Sequence, residues 1–131
     1  MNPAQSEATS SLAKATELKQ RSKNLAIRIV NLFRSLSHSP DVQTLGKQLL
    51  RSGTSVGANY RAVCRARSKA EFISRMSIVV EEADETVFWL ELLGETGIVR
   101  PERTRDLLKE ANELVAIFGA SSRTSKQNRS A

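Results

Sequence analysis

Lys47, Arg51, Arg61 and Arg65 fall within about 80 degrees of one another when residues 42–66 are wound as a helix, giving a basic ridge roughly 27 Å long. With Arg67 they make five basic residues between positions 41 and 67, against one acid, Asp41. A solvated helix face usually mixes its signs, so this ridge calls for an anionic partner. Two partners are open: the phosphate backbone of a nucleic acid, or the acidic stretch that follows, Glu71, Glu81, Glu82, Asp84, Glu85, Glu91 and Glu95 with Arg75 as its lone base. No aromatic side chain interleaves with the arginines of the ridge, which argues against stacking on bases. Contact with RNA or DNA would therefore go mainly to phosphate, weaken with salt and carry little sequence preference. Arg123, Lys126 and Arg129 near the C-terminus are further candidates for phosphate contacts.

Ser55 and Asn59 lie one helical turn apart among small residues, so their side chains share a face. Such a pair can fix the register of neighbouring helices as a polar core contact, or it can meet a ligand. Glu82 and Glu85 are the acceptors expected for Asn59 across the bundle. Enzyme activity is not expected. His38, the one histidine, has no partner in the sequence, and Gly46, Gly53 and Gly57 follow no strand and spell no phosphate loop. A di-iron bundle would need inward histidines beside its carboxylates, so no metal or cofactor is expected either. Cys64 is the one cysteine; it reads as a small core residue in a reducing, cytoplasmic setting. The formal net charge of +6 again favours acidic partners. No run of about 18 apolar residues is present to span a membrane, and the N-terminus lacks the apolar core of a signal peptide.

The elements that must position these residues are helices. Leu18, Leu25, Ile29, Leu32, Phe33 and Leu36 recur at three- and four-residue steps and predict a helix over 16–37. Val42, Leu45, Leu49, Val56, Tyr60 and Val63 hold one phase from 42 to 66, which favours a single helix over a turn at SGTSVG; its glycines would let a neighbouring helix come close. Ser68 and Glu71 spell a capping box for a third helix, to about Leu93, with Phe72, Met76, Val79, Val80, Ala83, Val87 and Leu90 facing inward. Phe88, Trp89, Leu92 and Leu93 fall outside that stripe. A helix apolar on two faces needs two partners: these four could pack against the ends of the first and fourth helices, but a single bundle has only one interior, so they point to an oligomer interface. Pro101 opens a fourth helix that buries Leu107, Ala111, Leu114, Val115 and Phe118 and ends near Gly119. Residues 1–15 and 120–131 lack apolar periodicity and are expected as disordered tails flanking a single bundle of residues 16–119. Short connections between four amphipathic helices predict an all-α, antiparallel up-down-up-down bundle.

The run SVGANYRAVCRARSKAEF, followed by EEADETVFWLELL, resembles the four helix bundle family, also known as the bacterial ribosomal RNA intervening-sequence proteins. The resemblance covers about residues 20–120. It implies a left-handed four-helix bundle and a ring-like homo-oligomer, most often a pentamer, with no firmly assigned biochemical activity. A similar bundle serves as the accessory subunit of retroelement reverse transcriptases, where a basic surface engages nucleic acid. The family's Ser, Asn and downstream Glu match Ser55, Asn59 and Glu85, and its basic residues after the Asn match Arg65 and Arg67. Family members commonly carry Glu shortly after the Asn, where this chain has Ala62, so a polar network using that carboxylate is absent or completed by Glu81, Glu82 or Glu85. The leading expectation is a nucleic-acid-binding module; the alternative is an adaptor for another protein whose basic helix is paired internally or across subunits.

Overall fold

The computed structural model describes residues 2–130, apart from the side chains of residues 4, 7, 8, 129 and 130. Four α-helices follow in chain order: α1 Pro3–Arg34, α2 Pro40–Cys64, α3 Lys69–Glu95 and α4 Pro101–Ser130. Their starts follow from local chemistry. Asn2 caps α1 by accepting from the Gln5 backbone N–H, while the Gln5 side chain accepts from the Asn2 N–H. Proline stands at the first turn of α1, α2 and α4, where its missing N–H costs nothing. Ser68 caps α3 through the Glu71 N–H at 3.1 Å, but Glu71 does not complete the box; its carboxylate accepts from the Arg67 N–H instead. After α3 the chain reverses at Gly97, whose φ of 76° suits glycine.

Both outer helices run further than their apolar stripes. Helical backbone covers residues from Pro3 in α1 and up to Ser130 in α4, segments expected as tails. No proline or glycine interrupts residues 4–34, and Gly119 alone does not end α4. Residues 9–14 are nevertheless exposed.

The single helix expected across the SGTSVG segment is present, and its glycines mark where α1 presses on α2. A Cβ added at Gly46 would lie 2.7 Å from Leu36 Cδ1, one at Gly53 2.4 Å from Ile29 Cδ1, and one at Gly57 3.4 Å from the Ser22 backbone. The partners fall in number as the glycines rise, so α1 and α2 run in opposite senses. Leu25, Ile29, Leu49, Val56, Met76, Val79, Leu90, Leu114 and Phe118 are essentially inaccessible at the centre. Tyr60 and Phe118 close one end, their ring centroids 5.0 Å apart. On the flank where α1 meets α4, Arg21 forks onto Glu110 and Glu113, and the Glu110 hydrogen bond drives its pKa further above the usual arginine range.

Two core expectations are corrected here. Leu93, expected at an oligomer interface, is fully buried inside the monomer, because it continues the buried row Val79, Ala83, Thr86 and Leu90 of α3 at alternating three- and four-residue steps. Cys64, expected in the core, is exposed: the buried stripe of α2 stops at Val63.

Candidate functional site

The basic ridge divides once the helices pack. Arg51 turns toward α3, where its guanidinium donates to Glu85 and, at 3.4 Å, to Glu82. Glu85 also accepts from Trp89 Nε1 at 3.2 Å. The two carboxylates expected to meet Asn59 are thus engaged by Arg51. Ser55 Oγ donates to the Arg51 carbonyl at 2.6 Å, and the half-buried Asn59 side chain makes no hydrogen bond with a described residue. The expected polar core of Ser55, Asn59, Glu82 and Glu85 is therefore not the one that forms.

The buried polar contact is one turn away. Thr86 Oγ1 shares its proton between Ser52 Oγ at 3.1 Å and the Glu82 carbonyl at 2.8 Å, and both side chains are inaccessible. The signal was a gap: the apolar stripe of α2 jumps seven residues from Leu49 to Val56, and Ser52 fills the missing core position.

The other ridge arginines make no side-chain ion pair with a described residue. Arg61, Arg65 and Arg67 line a basin of about 560 Å³ at the corner between α2 and α3, joined there by Arg75 of α3 and floored by Ala58 and Ala62. Its single carboxylate, Glu71, is held by the Arg67 backbone N–H and by Arg75 Nε at 2.9 Å. These two contacts, the backbone one first, lower its pKa, so it stays ionised and occupied. Ala62 on the floor adds no second acid to the basin.

On the other flank of α2, a groove of about 370 Å³ runs against α1, where Lys19 and Lys23 stand one turn apart and face Arg61. Gly57, Ala58 and Ala26 form its floor, and no acid lines it. Lys19, Lys23, Arg61 and Arg65 make no ion pair with a described residue. Sequence reading missed Lys19, Lys23 and Arg75 because only packing shows which flank of α1 or α3 borders α2. Lys47 is exposed but lines neither basin. Arg123 and Lys126 are exposed on the last turns of α4, while the side chain of Arg129 lies outside the described residues.

On α3, Phe88 is 49% exposed and stacks on Trp89 at 4.9 Å, with Leu92 half-buried nearby in sequence. Among the described residues no group of three or more His, Cys, Asp or Glu could hold a metal ion, and no helix is long and apolar enough to cross a membrane.

The 23S rRNA-intervening sequence protein family model matches residues 14–120. A crystal structure of a protein of unknown function from the S23 ribosomal protein family of Bacteroides thetaiotaomicron is similar at 37% identity and a TM-score of 0.75, covering 80% of this chain and 97% of that one. No curated protein matches the chain. The family match spans both basins and the core that positions them, and the chain belongs to the 23S rRNA-intervening sequence protein family.

Proposed function

We propose that this chain is a non-enzymatic nucleic-acid-binding module, acting in the cytoplasm, that holds phosphate through the corner formed by Arg61, Arg65 and Arg67. The observation that carries the reading is the one-sided charge of that corner, where the only acid is already held by its neighbours. A cluster of arginines outnumbering its one carboxylate, on a small-residue floor, matches a phosphate backbone in charge and shape, with no stacking platform to read bases. Arg123 and Lys126, exposed at the end of α4, extend the positive surface.

The bundle takes the up-down-up-down, left-handed course and assembles as a homo-oligomeric ring, a pentamer in the family's manner. Phe88, Trp89 and Leu92 supply the contact, since half-exposed stacked aromatics on a helix already packed on its other side need a second partner. One observation favours the adaptor reading in part: Arg51 is neutralised internally by Glu82 and Glu85, as that reading requires of the whole ridge. It does not extend to Arg61 or Arg65.

Light scattering behind size exclusion, alone and with a mixed RNA and duplex DNA sample at two salt concentrations, tests the proposal. The expected result is a mass near five subunits that gains nucleic acid at low salt and sheds it as salt rises. If three arginines each neutralise a phosphate, log K against log salt should fall with a slope of about −2 to −3. A particle that ignores both nucleic acids at low salt would overturn the phosphate reading in favour of the adaptor, and a monomer would overturn the ring.

A further inference from the structure

Resting on the phosphate reading, we infer that the nucleic-acid strand crosses α2 rather than following it, running from the α2–α3 corner over Arg61 into the α1–α2 groove, where Lys19 and Lys23 are direct phosphate contacts. Four observations converge on this path. The ridge along α2 is broken at Arg51, which is spent on Glu82 and Glu85. Lys47, beyond that break, borders neither concave surface. The corner basin and the α1–α2 groove instead share two residues, Ala58 and Arg61, so they are continuous across the helix. Along the whole path the cations come from three helices and the one carboxylate is Glu71, already held in place.

The shape of the crossing follows from small residues. A Cβ at Gly57 would stand 3.4 Å from the Ser22 backbone carbonyl, so α1 and α2 meet there almost backbone to backbone. Ala58, exposed on the saddle, puts no bulk between the two basins. An extended strand can lie low over that saddle, with the longer lysine and arginine side chains closing on it from both sides. Cations with four or more rotatable bonds adapt to phosphate as point charges or forks, which suits a sequence-tolerant backbone contact. The chemistry recognised is a run of phosphodiesters, which a single strand or one edge of a duplex would each supply.

Lys19→Gln with Lys23→Gln tests the path, measured as the salt slope of binding to one oligonucleotide as a single strand and as its duplex. Both lysines are exposed, so helicity and particle mass should not change. The slope should lose about 1.4 with the single strand or about 1.8 with the duplex, and the probe showing the loss identifies the source of the strand. The control is Arg105→Gln with Lys109→Gln, which removes equal charge from exposed positions on α4. Equal losses in test and control would reduce the effect to net charge and overturn the path. An unchanged slope in the α1 variant, with Arg65→Gln still lowering it, would overturn the path and leave the phosphate reading standing. Failure of the unaltered protein to bind either probe would overturn both. Ala58→Glu, which places a carboxylate on the saddle, should weaken binding by more than the double lysine variant; equal or tighter binding would contradict a crossing at that point.

Discussion

Three glycines share α2, and alanine in their place should give results of opposite sign. Helix propensity alone favours Ala over Gly by about 1 kcal/mol at each site. Packing then decides. At Gly57 the new methyl would meet the Ser22 backbone at 3.4 Å, an ordinary contact, so Gly57→Ala should be neutral or up to about 1 kcal/mol stabilising. At Gly53 it would stand 2.4 Å from Ile29 Cδ1 and 3.1 Å from Ile29 Cγ2. Ile29 is inaccessible, and a β-branched side chain in a helix has one strongly preferred rotamer, so it cannot swing both branches clear. Overpacking of this kind costs about 1–3 kcal/mol, so Gly53→Ala should be destabilising by about 1–2 kcal/mol net of the propensity gain. Ile29→Val deletes the Cδ1 that makes the worst contact. Alone it should cost about 0.5–1.5 kcal/mol; combined with Gly53→Ala it should cost less than the two summed, with a coupling near 1 kcal/mol. Urea unfolding followed by far-ultraviolet circular dichroism reads all four variants. If Gly53→Ala proves as stable as Gly57→Ala, or the coupling vanishes, the close approach of α1 to α2 at Ile29 is wrong.

Removing the Thr86 hydroxyl by Thr86→Val should cost about 1 kcal/mol beside Ser52 and much less in a Ser52→Ala background, measured as a double-mutant cycle in thermal unfolding. Tyr60, the chain's one tyrosine, has its hydroxyl pKa raised first by burial and then by Cys64 beside it. The folded state therefore binds that proton more tightly than the unfolded chain, whose tyrosine titrates near 10; stability should hold below about pH 10 and fall as pH rises beyond it. Tyr60→Phe should flatten that alkaline fall, and tyrosinate absorbance of the native protein should rise only above the usual tyrosine range. Trp89→Ala should lower the particle mass in light scattering while leaving the helical content of each chain intact, and an unchanged mass would remove Trp89 from the subunit contact.

Periodicity made the helices legible because burial acts residue by residue along each stripe: Leu25, Ile29, Leu49, Val56, Val79 and Leu90 all sit where a 3.6-residue repeat puts them. The same rule erred where it met the ends. Leu93 lies about 60 degrees round the helix from Leu90 yet is buried, since the buried row of α3 runs Val79, Ala83, Thr86, Leu90, Leu93 once the polar Thr86 is counted as a core position. The buried polar contact lies about one turn from Ser55 because a one-turn spacing shows only that Ser55 and Asn59 share a face, whereas the vacant position in the apolar stripe of α2 falls at Ser52. The charged surface was the least legible part. Charge on one helix shows how much positive potential exists, but the fate of each cation depends on its neighbours: Arg51 pairs with two carboxylates across a helix interface, and Arg65 pairs with none among the described residues.

That sorting of cations separates two surfaces. The acids of α3 that meet α2 neutralise Arg51 halfway along the bundle, next to Trp89, so the charge there is closed internally and the exposed neighbour is aromatic. At the other end of α3, Arg75 opens onto the corner basin. Trp89 lies fourteen helical steps beyond Arg75, roughly 21 Å of axis at 1.5 Å per residue. Subunits joined through the aromatic end would leave each basic corner uncovered, and a ring would then present several copies of it to one polyanion. Weak single contacts gain by such repetition, because each later contact is intramolecular and set by effective concentration. A corner of a few arginines with no base recognition is the kind of site for which assembly matters most: Trp89→Ala should leave the contact made by each subunit intact and weaken only the binding of strands long enough to reach two corners.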